Sequence, residues 1–405
     1  MRDTDLFEMA LGLMPPWFVD RSEFDAEEKR LDLYIDFFRG GRFACPECGQ
    51  TDCAAYDSEE KTWRHLNFFE HETYLHARTP RVDCPLCGVK QVSVPWARAD
   101  SGFTLLFEAF IMALAKEMPV NAIARLVNEH DTRLWRILHH YVEKARSEQD
   151  YSDVEKIGVD ETSSKRGHNY ITTFVDMAQS KVLFATPGKD AGTLTAFEED
   201  LKAHGGCPEQ IKEACCDMSP AFISGIEDTF QDAEITFDKF HVVKIINDAV
   251  DQVRREEQKD HPELKKSRYV WLKNPQHLTL KQQAVFETLN VKKLNLKTAR
   301  AYQIKLNFQE LYNQPKALAE TFLKKWFFWA THSRLQPIID AAYTIKNHWH
   351  GVLRWFDSGI SNGILEGINS LIQAAKAKAR GFRSTRNLIT VVYLIAGKLD
   401  MKLPT

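Results

Sequence analysis

The stretch Lys156-Ile157-Gly158-Val159-Asp160-Glu161-Thr162 is a short run of mostly apolar residues that leads into a carboxylate. A polar segment, residues 163–167, follows it. The pattern predicts a buried strand with Asp160 at its exposed end and a turn beyond. Because aspartate also follows strands simply as a turn residue, this stretch alone does not define a site.

Two further acidic residues follow similar patterns and, together with Asp160, predict a metal site. Residues 211–217 form a second short apolar run that ends in Asp217, and residues 362–369 place Glu366 at the start of a helical pattern. We expect Asp160, Asp217 and Glu366 to converge and hold two Mg²⁺ or Mn²⁺ ions, because hard cations prefer carboxylate oxygens to thiols or imidazoles. Two such ions can activate an attacking oxygen and stabilise a leaving oxygen in phosphodiester chemistry. Asp160 is expected to bridge the ions, since a central strand fixes it most rigidly.

The hydrophobic period changes from helical to alternating near residue 154. Strands are predicted at 154–160, 169–177, 181–186, 211–217 and 234–238, with helices at 192–204, 219–230 and from about 241 to 258. This order is that of a ribonuclease-H-like domain. Residues 262–355 are rich in Lys, Leu and aromatic residues and predict an all-α insertion. Its aromatic residues would either form the core of the insertion or stack on an extruded base.

Two short cysteine motifs, Cys45-Pro46-Glu47-Cys48-Gly49 and Cys84-Pro85-Leu86-Cys87-Gly88, predict a structural zinc site. Two residues between thiolates let one turn present both sulfurs to one ion, and the glycine permits the tight turn. Two unlinked cysteine pairs are the alternative. The long spacer has strand-like sequence at 62–66 and 73–77, which predicts a β-insert. The three histidines of this spacer are expected on the strand surface rather than as ligands: His65, His71 and His76.

Residues 103–146 predict a helix, a short turn and a further helix, which is the outline of a helix-turn-helix. Arg133 and Arg136 would face outward on the last helix and contact DNA. An ordinary helical hairpin fits the same pattern.

The net charge of −3 is unevenly distributed along the chain. Residues 1–40 carry a net charge of −5, residues 239–305 carry +8 and residues 366–405 carry +5. The basic regions are able to contact phosphates, although solvated helix faces give the same pattern. Next to Glu366, DNA contacts are expected from a group of basic residues: Lys376, Lys378, Arg380, Arg383 and Arg386.

The start of the chain lacks a signal-peptide pattern, and no apolar run reaches the roughly 18 residues of a membrane span. Paired cysteines in such a chain favour metal binding over disulfides. We therefore expect a protein of the reducing bacterial cytoplasm, associated with the nucleoid and without a membrane partner.

Several motifs in this order resemble the ISL-three family of bacterial insertion-sequence transposases over roughly residues 40–395. They are the two cysteine motifs and the segments 158–161, 217–219, 237–242, 361–369 and 379–383. The resemblance implies that Asp160, Asp217 and Glu366 are a DDE catalytic triad. Asp238-x-x-His241 resembles a motif found between the second and third acids in several DDE groups, where His241 would do chemistry or support the site. The family also implies the zinc module, the helix-turn-helix and the all-α insertion.

The expected fold class is a multidomain α/β protein with a ribonuclease-H-like catalytic domain interrupted by an all-α insertion. The predicted ranges are 1–40 of unclear role, 41–100 zinc-binding, 101–150 helix-turn-helix, 151–260 catalytic, 261–358 insertion, and 359–405 catalytic with a basic tail. The expected function is cleavage and transfer of DNA strands by a transposase that recognises terminal inverted repeats as a dimer or larger complex. A nuclease of the same fold, or a DNA-binding regulator without cleavage, is the alternative.

Overall fold

The computed structural model describes residues 2–165, 167, 169–291, 296–359 and 363–404. The chain forms two compact units, residues 1–143 with 400–405, and residues 144–399. The finer division into six ranges stays a prediction. Among the described residues, no helix is long and apolar enough to cross a membrane.

The first unit is a β-sheet followed by helices. Its elements are α1 (Asp3–Leu11), β1 (Trp17–Asp25), β2 (Arg30–Phe37), β3 (Arg42–Phe43), β4 (Cys53–Phe68), β5 (His71–Cys84), β6 (Gly88–Gln91), α2 (Leu105–Glu117), α3 (Val120–Leu126) and α4 (Asp131–Ser147), which continues into the second unit. The strand order is β1-β2-β5-β4-β3, with β6 paired to β5. The antiparallel pair β4–β5 confirms the predicted β-insert between the cysteine motifs.

The N-terminal segment is an integral part of this sheet. Strand β2 pairs in parallel with β5, so residues 30–35 lie against residues 72–77. Leu31, Leu33 and Ile35 alternate with more exposed residues and are each 2% exposed, as the period of a strand requires. Residues 1–40 thus supply core to the sheet of the β-insert.

His65 lies on β4, as expected, and is half-buried. Its Nδ1 lies 2.8 Å from Thr104 Oγ1, and burial lowers the pKa of His65 to about 4. The imidazole is therefore a packed neutral group between β4 and the start of α2. His76 lies on the sheet as expected, with Nε2 2.6 Å from Asp32 Oδ1.

Helices α2, α3 and α4 confirm the predicted succession of helices. Ile123, Leu134, Ile137 and Leu138 are fully buried at helical spacing. Leu126, which the sequence pattern places inward, is instead 61% exposed. The short helix α3 ends at this residue, so its buried face is completed by Val127 beyond it.

The second unit contains a five-stranded sheet and many helices. Its elements are β7 (Lys156–Lys165), β8 (Asn169–Asp176), β9 (Lys181–Pro187), α5 (Gly192–Ala203), β10 (Glu213–Cys216), α6 (Pro220–Thr229), β11 (Glu234–Phe237), α7 (Lys239–Glu257), α8 (Arg268–Leu272), α9 (Leu280–Val291), α10 (Lys297–Gln309), α11 (Lys316–Thr331), α12 (Gln336–Asn347), α13 (Trp349–Ser358), α14 (Gly363–Lys378) and α15 (Thr385–Ala396). The sheet order is β11-β10-β7-β8-β9. Strands β10 and β11 run parallel to β7, whereas β8 and β9 form an antiparallel meander.

The predicted end of the first strand of this sheet is wrong. Strand β7 continues to Lys165, so Asp160 lies in the middle of the strand rather than at its exposed end. The polar residues beyond it stay in the strand because their side chains find partners. Thr162 Oγ1 accepts a hydrogen bond from Gln373, and Ser164 Oγ donates one to the carbonyl of Asn169. Hydrogen-bonded hydroxyls can be buried at little cost.

The region predicted as an insertion is helical, and many of its aromatic residues form its core. Trp271, Phe308 and Trp326 are at most 1% exposed. The indole Nε1 of Trp326 donates to the carbonyl of Ile304, which satisfies its polar atom. Phe328 and Trp329, in contrast, are 64% and 44% exposed on α11.

The last helix of the insertion approaches the sheet edge closely through Gly351. A Cβ at this position would overlap the ring of Phe237 in β11 and lie 3.2 Å from the carbonyl oxygen of Ile235. The missing side chain therefore sets how closely α13 packs on β11.

We predict that Gly351→Ala lowers the free energy of unfolding by about 1–3 kcal/mol, the usual cost of overpacking. Urea denaturation followed by circular dichroism measures the change. Gly367→Ala on α14 is the matched control, because nothing lies within 4 Å of its added Cβ. That variant should be neutral or stabilising by up to about 1 kcal/mol. Equal stability of the two variants would show that α13 does not depend on the close approach.

Candidate active site and metal centres

The register of the parallel strands brings three acids to one level of the sheet. Cys215 pairs with Gly158, so two residues further the same register places Asp217 level with Asp160. Cys216 pairs with Phe237, which places Asp238 level with Asp217. Neighbouring parallel strands lie about 4.8 Å apart and residues at one level point to the same face. The register therefore places Asp160 of β7 beside Asp217, directly after β10, and Asp238, directly after β11; we call these three residues the acid row.

The carboxylates of this row lie close enough to affect one another's pKa. Burial raises the pKa of Asp160 to about 6, and the charges of Asp217 and Asp238 add to the increase. The backbone N–H of Glu161 and the side chain of His241 act in the opposite direction. A nearby cation would favour the charged form of such a carboxylate, so the group suits a metal ligand.

Glu366 joins this row from helix α14, where it lies in the first turn. Burial raises the pKa of Asp238, and the charge of Glu366 contributes to that increase, which places the two carboxylates within electrostatic range. The predicted helix caps, Ser361 and Asn362, lie outside the described residues.

One face of α14 is hydrogen-bonded along β7. Asn369 Nδ2 donates to Asp160 Oδ2, Gln373 Nε2 donates to Thr162 Oγ1, and Lys376 Nζ donates to the carbonyl of Ser163. Residues three and four positions apart share a face of a helix, and alternate residues share a face of a strand. Successive positions on this face of α14 therefore bond to successive positions along β7.

A close approach completes the packing of α14 on β7. A Cβ on Gly158 would lie 2.8 Å from Leu365 Cδ2 and 2.5 Å from Met177 Sδ. The glycine two residues before Asp160 thus makes room for the leucine that precedes Glu366.

Sequence reasoning missed the role of Asn369. The available signal was its spacing, because a residue three positions after Glu366 shares its helical face. Asn369 Oδ1 is buried without a hydrogen-bond partner in the described part of the chain. A buried acceptor of this kind points to a donor, such as a bound water, that belongs to the loaded site.

Asp238 and His241 begin helix α7. Asp238 is the N-cap, and its Oδ1 accepts a hydrogen bond of 2.8 Å from the N–H of Phe240. Its Oδ2 lies 3.7 Å from His241 Nδ1, an ion-pair distance if the imidazole is protonated. His241 is half-buried and contributes to the field at Asp160. The pair thus lies beside the acid row.

The cysteine cluster meets the geometric requirements of a metal site. The sulfurs of Cys45, Cys48, Cys84 and Cys87 all lie within 4.8 Å of one another, and Cys48 Sγ is 3.6 Å from Cys84 Sγ. Tetrahedral zinc with bonds near 2.3 Å requires sulfurs about 3.8 Å apart. In the described ranges this is the one group of metal-ligating side chains gathered so closely, and the acid row is more open.

The two halves of this cluster have the same backbone geometry. Gly49 and Gly88 both have a φ of +71°, the left-handed conformation that the tight turn needs. The backbone N–H groups of Leu86 and Cys87 lower the pKa of Cys84 to about 7. This favours the thiolate, which is the form that binds metals.

The predicted DNA-contacting residues are in different environments. Arg133 Nη1 lies 2.6 Å from Glu129 Oε2 and its guanidinium stacks over Phe103, while its side chain remains 42% exposed. Arg136 is exposed as predicted. In the tail, Lys376 is held on β7, whereas four basic residues are at the surface: Lys378, Arg380, Arg383 and Arg386. Arg380 and Gly381 have positive φ directly after the end of α14.

Comparison with protein-family models matches three segments of the chain. Residues 41–87 match the zinc-finger of transposases IS204, IS1001, IS1096 and IS1165, and residues 92–142 match the helix-turn-helix domain of transposase family ISL3. Residues 157–392, more than half of the chain, match the ISL3 transposase domain. The chain belongs to the ISL3 family of transposases.

Full-length relatives agree with this assignment. The chain is 28% identical to the transposase for insertion sequence element IS1557 of Mycobacterium tuberculosis, with 97% of this chain and 96% of the relative covered. It is 28% identical to the transposase for IS1001 of Bordetella parapertussis, over 95% and 96% of the two chains. A solved intasome of simian T-cell lymphotropic virus, in complex with a PP2A regulatory subunit, is 15% identical over 38% of this chain and 62% of its own, with a TM-score of 0.17. That score is too low to support an argument.

We predict that the purified ISL3 protein contains about one zinc ion per chain, as four thiolates around one tetrahedral ion require. Cys48→Ser should reduce the zinc content measured by inductively coupled plasma mass spectrometry. Cys53→Ser is the matched control, because Cys53 is a buried thiol of the same region outside the four-sulfur cluster. Zinc content that is unchanged in Cys48→Ser would refute the site.

Proposed function

We propose that this ISL3 protein is a DDE transposase that cleaves the DNA ends of its insertion sequence and joins them to target DNA in a metal-dependent reaction. The observation that carries the proposal is the bond from Asn369 to Asp160, which ties the helix of Glu366 to β7, together with the electrostatic interaction of Asp160 with Asp217. The order β11-β10-β7-β8-β9 supports a ribonuclease-H-like catalytic fold, since it matches the strand arrangement expected for that fold.

The acid row fits divalent cations by the chemistry of its donors. Asp160, Asp217 and Glu366 would hold two Mg²⁺ or Mn²⁺ ions, which supply activation of the attacking oxygen and stabilisation of the leaving oxygen. Asp160 is the best-fixed ligand, because Asn369 and the N–H of Glu161 both donate to its carboxylate. Such restraint keeps the ligand in place before DNA arrives.

Residues around the acids would position the DNA. The surface arginines of the tail, Arg380, Arg383 and Arg386, follow directly on the helix of Glu366 and can contact the phosphate backbone. Arg136 can contact DNA from the helix-turn-helix. His241, 3.7 Å from the carboxylate of Asp238, would support this side of the site. We propose further that the protein recognises terminal inverted repeats and acts as a dimer or larger complex, because two DNA ends must be joined together.

The reaction itself tests this proposal. The wild-type protein should cut a labelled duplex of its own element end in Mg²⁺ but not in EDTA, and paired ends should be offered as well as single ends. Asp160→Asn and Glu366→Gln should each reduce cleavage by about 100-fold or more, because each removes a ligand charge. DNA binding should persist in both variants. Unchanged cleavage in Asp160→Asn would reject the triad, and binding without cleavage on paired ends would favour a regulator.

A second prediction concerns the residue that orients Asp160. Asn369→Ala removes the donor to Asp160 Oδ2, and loss of such a supporting contact usually weakens metal affinity or activity by about 10–100-fold. The Mn²⁺ concentration for half-maximal cleavage should therefore rise. Ser370→Ala, at the exposed neighbouring position of α14, is the control and should leave it unchanged. An identical Mn²⁺ dependence in Asn369→Ala would show that Asp160 needs no such support.

A further inference from the structure

A cavity of about 740 Å³ lies directly beside the acid row in the second unit. Asp238 and Glu366 line it together with residues of the first turn of α7 and of the end of α10. The helical insertion supplies much of the lining. We call this space the insertion cavity, and its volume lies in the range of sites that bind small ligands.

The lining of the insertion cavity combines apolar faces with amide groups. Phe240, from the first turn of α7, is 57% exposed, and Trp355 and Leu306 line the same space. Asn274 and Gln309 add half-buried amide side chains. Amides carry both donors and acceptors, so they can match the mixed hydrogen-bonding edge of a nucleobase. The apolar faces suit the flat surface of a base.

Lys239 contributes a positive charge to the lining of the insertion cavity. Lys239 Nζ lies 4.6 Å from the centre of the Tyr312 ring and 5.6 Å from that of Trp355. Cation–π contact with both rings restrains the ammonium, while the residue stays exposed to solvent. A restrained cation in the lining of the cavity is suited to a phosphate of a nucleotide held there.

A base inside a duplex cannot use this lining, because its faces are covered by neighbouring bases and only its edges reach the grooves. Contact with Phe240 or Trp355 requires a base that has left the stack. We propose that the insertion cavity binds one unpaired nucleobase adjacent to the phosphate that is cut. This inference rests on the proposed cleavage of DNA, and it assigns the insertion a part in substrate binding.

The experiment compares two forms of the element-end duplex, one fully paired and one with a single mismatch placed in turn at each position flanking the cut. A mismatch removes much of the cost of unpairing, so the wild-type protein should bind the best mismatched end about 10-fold more tightly. Phe240→Ala should lose this preference and cut the paired end about 10-fold more slowly, since stacking on an aromatic side chain is lost. On the mismatched end, Phe240→Ala should regain most of the cleavage rate that it loses on the paired end.

Two further variants separate binding from folding. Asn274→Ala, a small change in a loop of the cavity, should also weaken the mismatch preference. Phe328→Ala is the control, because Phe328 is an equally exposed aromatic residue of the insertion outside the cavity lining. This control should match the wild type on both duplexes.

Defined outcomes would overturn the inference. The cavity does not bind a base if Phe240→Ala and Asn274→Ala keep the binding preference for the mismatched end. The same conclusion follows if their cleavage rates fall equally on both duplexes. A wild-type protein that shows no mismatch preference at any position overturns it as well. Failure of the wild type to cut either duplex would count against the proposed function instead, and the binding preference would still decide whether the cavity takes a base.

Discussion

The contact between α14 and β7 is the interaction on which the candidate site depends. Three side chains of one helical face bond to three successive points of the strand, and the first of these bonds joins Asn369 to Asp160. More than 200 residues of chain separate the partners, so no local preference brings them together. Because the bond ties the helix of Glu366 to the strand of Asp160, a shift of α14 would move Glu366 away from Asp160.

The remaining architecture of the second unit supports this contact. Parallel pairing of β7, β10 and β11 fixes the levels of Asp160, Asp217 and Asp238, and the insertion returns the chain to the sheet through Gly351 before α14 begins. The insertion is therefore more than a spacer in the sequence. It lines the cavity next to the acids with aromatic and amide groups.

Much of this arrangement could be predicted from local patterns. Short apolar runs ending in Asp160 and Asp217, the duplicated cysteine motifs and the succession of helices in residues 103–146 each depend on nearby residues. The position of Asp160 in the middle of β7 could not be predicted in this way. The polar residues Thr162 and Ser164 are typical of a turn, and they stay in the strand because they bond to Gln373 and Asn169, which are not their sequence neighbours. The pairing of Arg133 with Glu129 could not be predicted from helical spacing either, because Glu129 lies in the turn before α4.

The central claim is that residues distant in sequence form one metal site, and iron-mediated cleavage of the protein backbone tests it most directly. Fe²⁺ replaces Mg²⁺ at oxygen ligands, and with ascorbate and peroxide it generates radicals that cut the nearest chain segments. Mass spectrometry should find cuts clustered near residues 160, 217 and 366 together, all suppressed by excess Mg²⁺ and reduced in Asp160→Asn. Cuts near only one of these residues, or a pattern that Asp160→Asn leaves unchanged, would contradict the shared site.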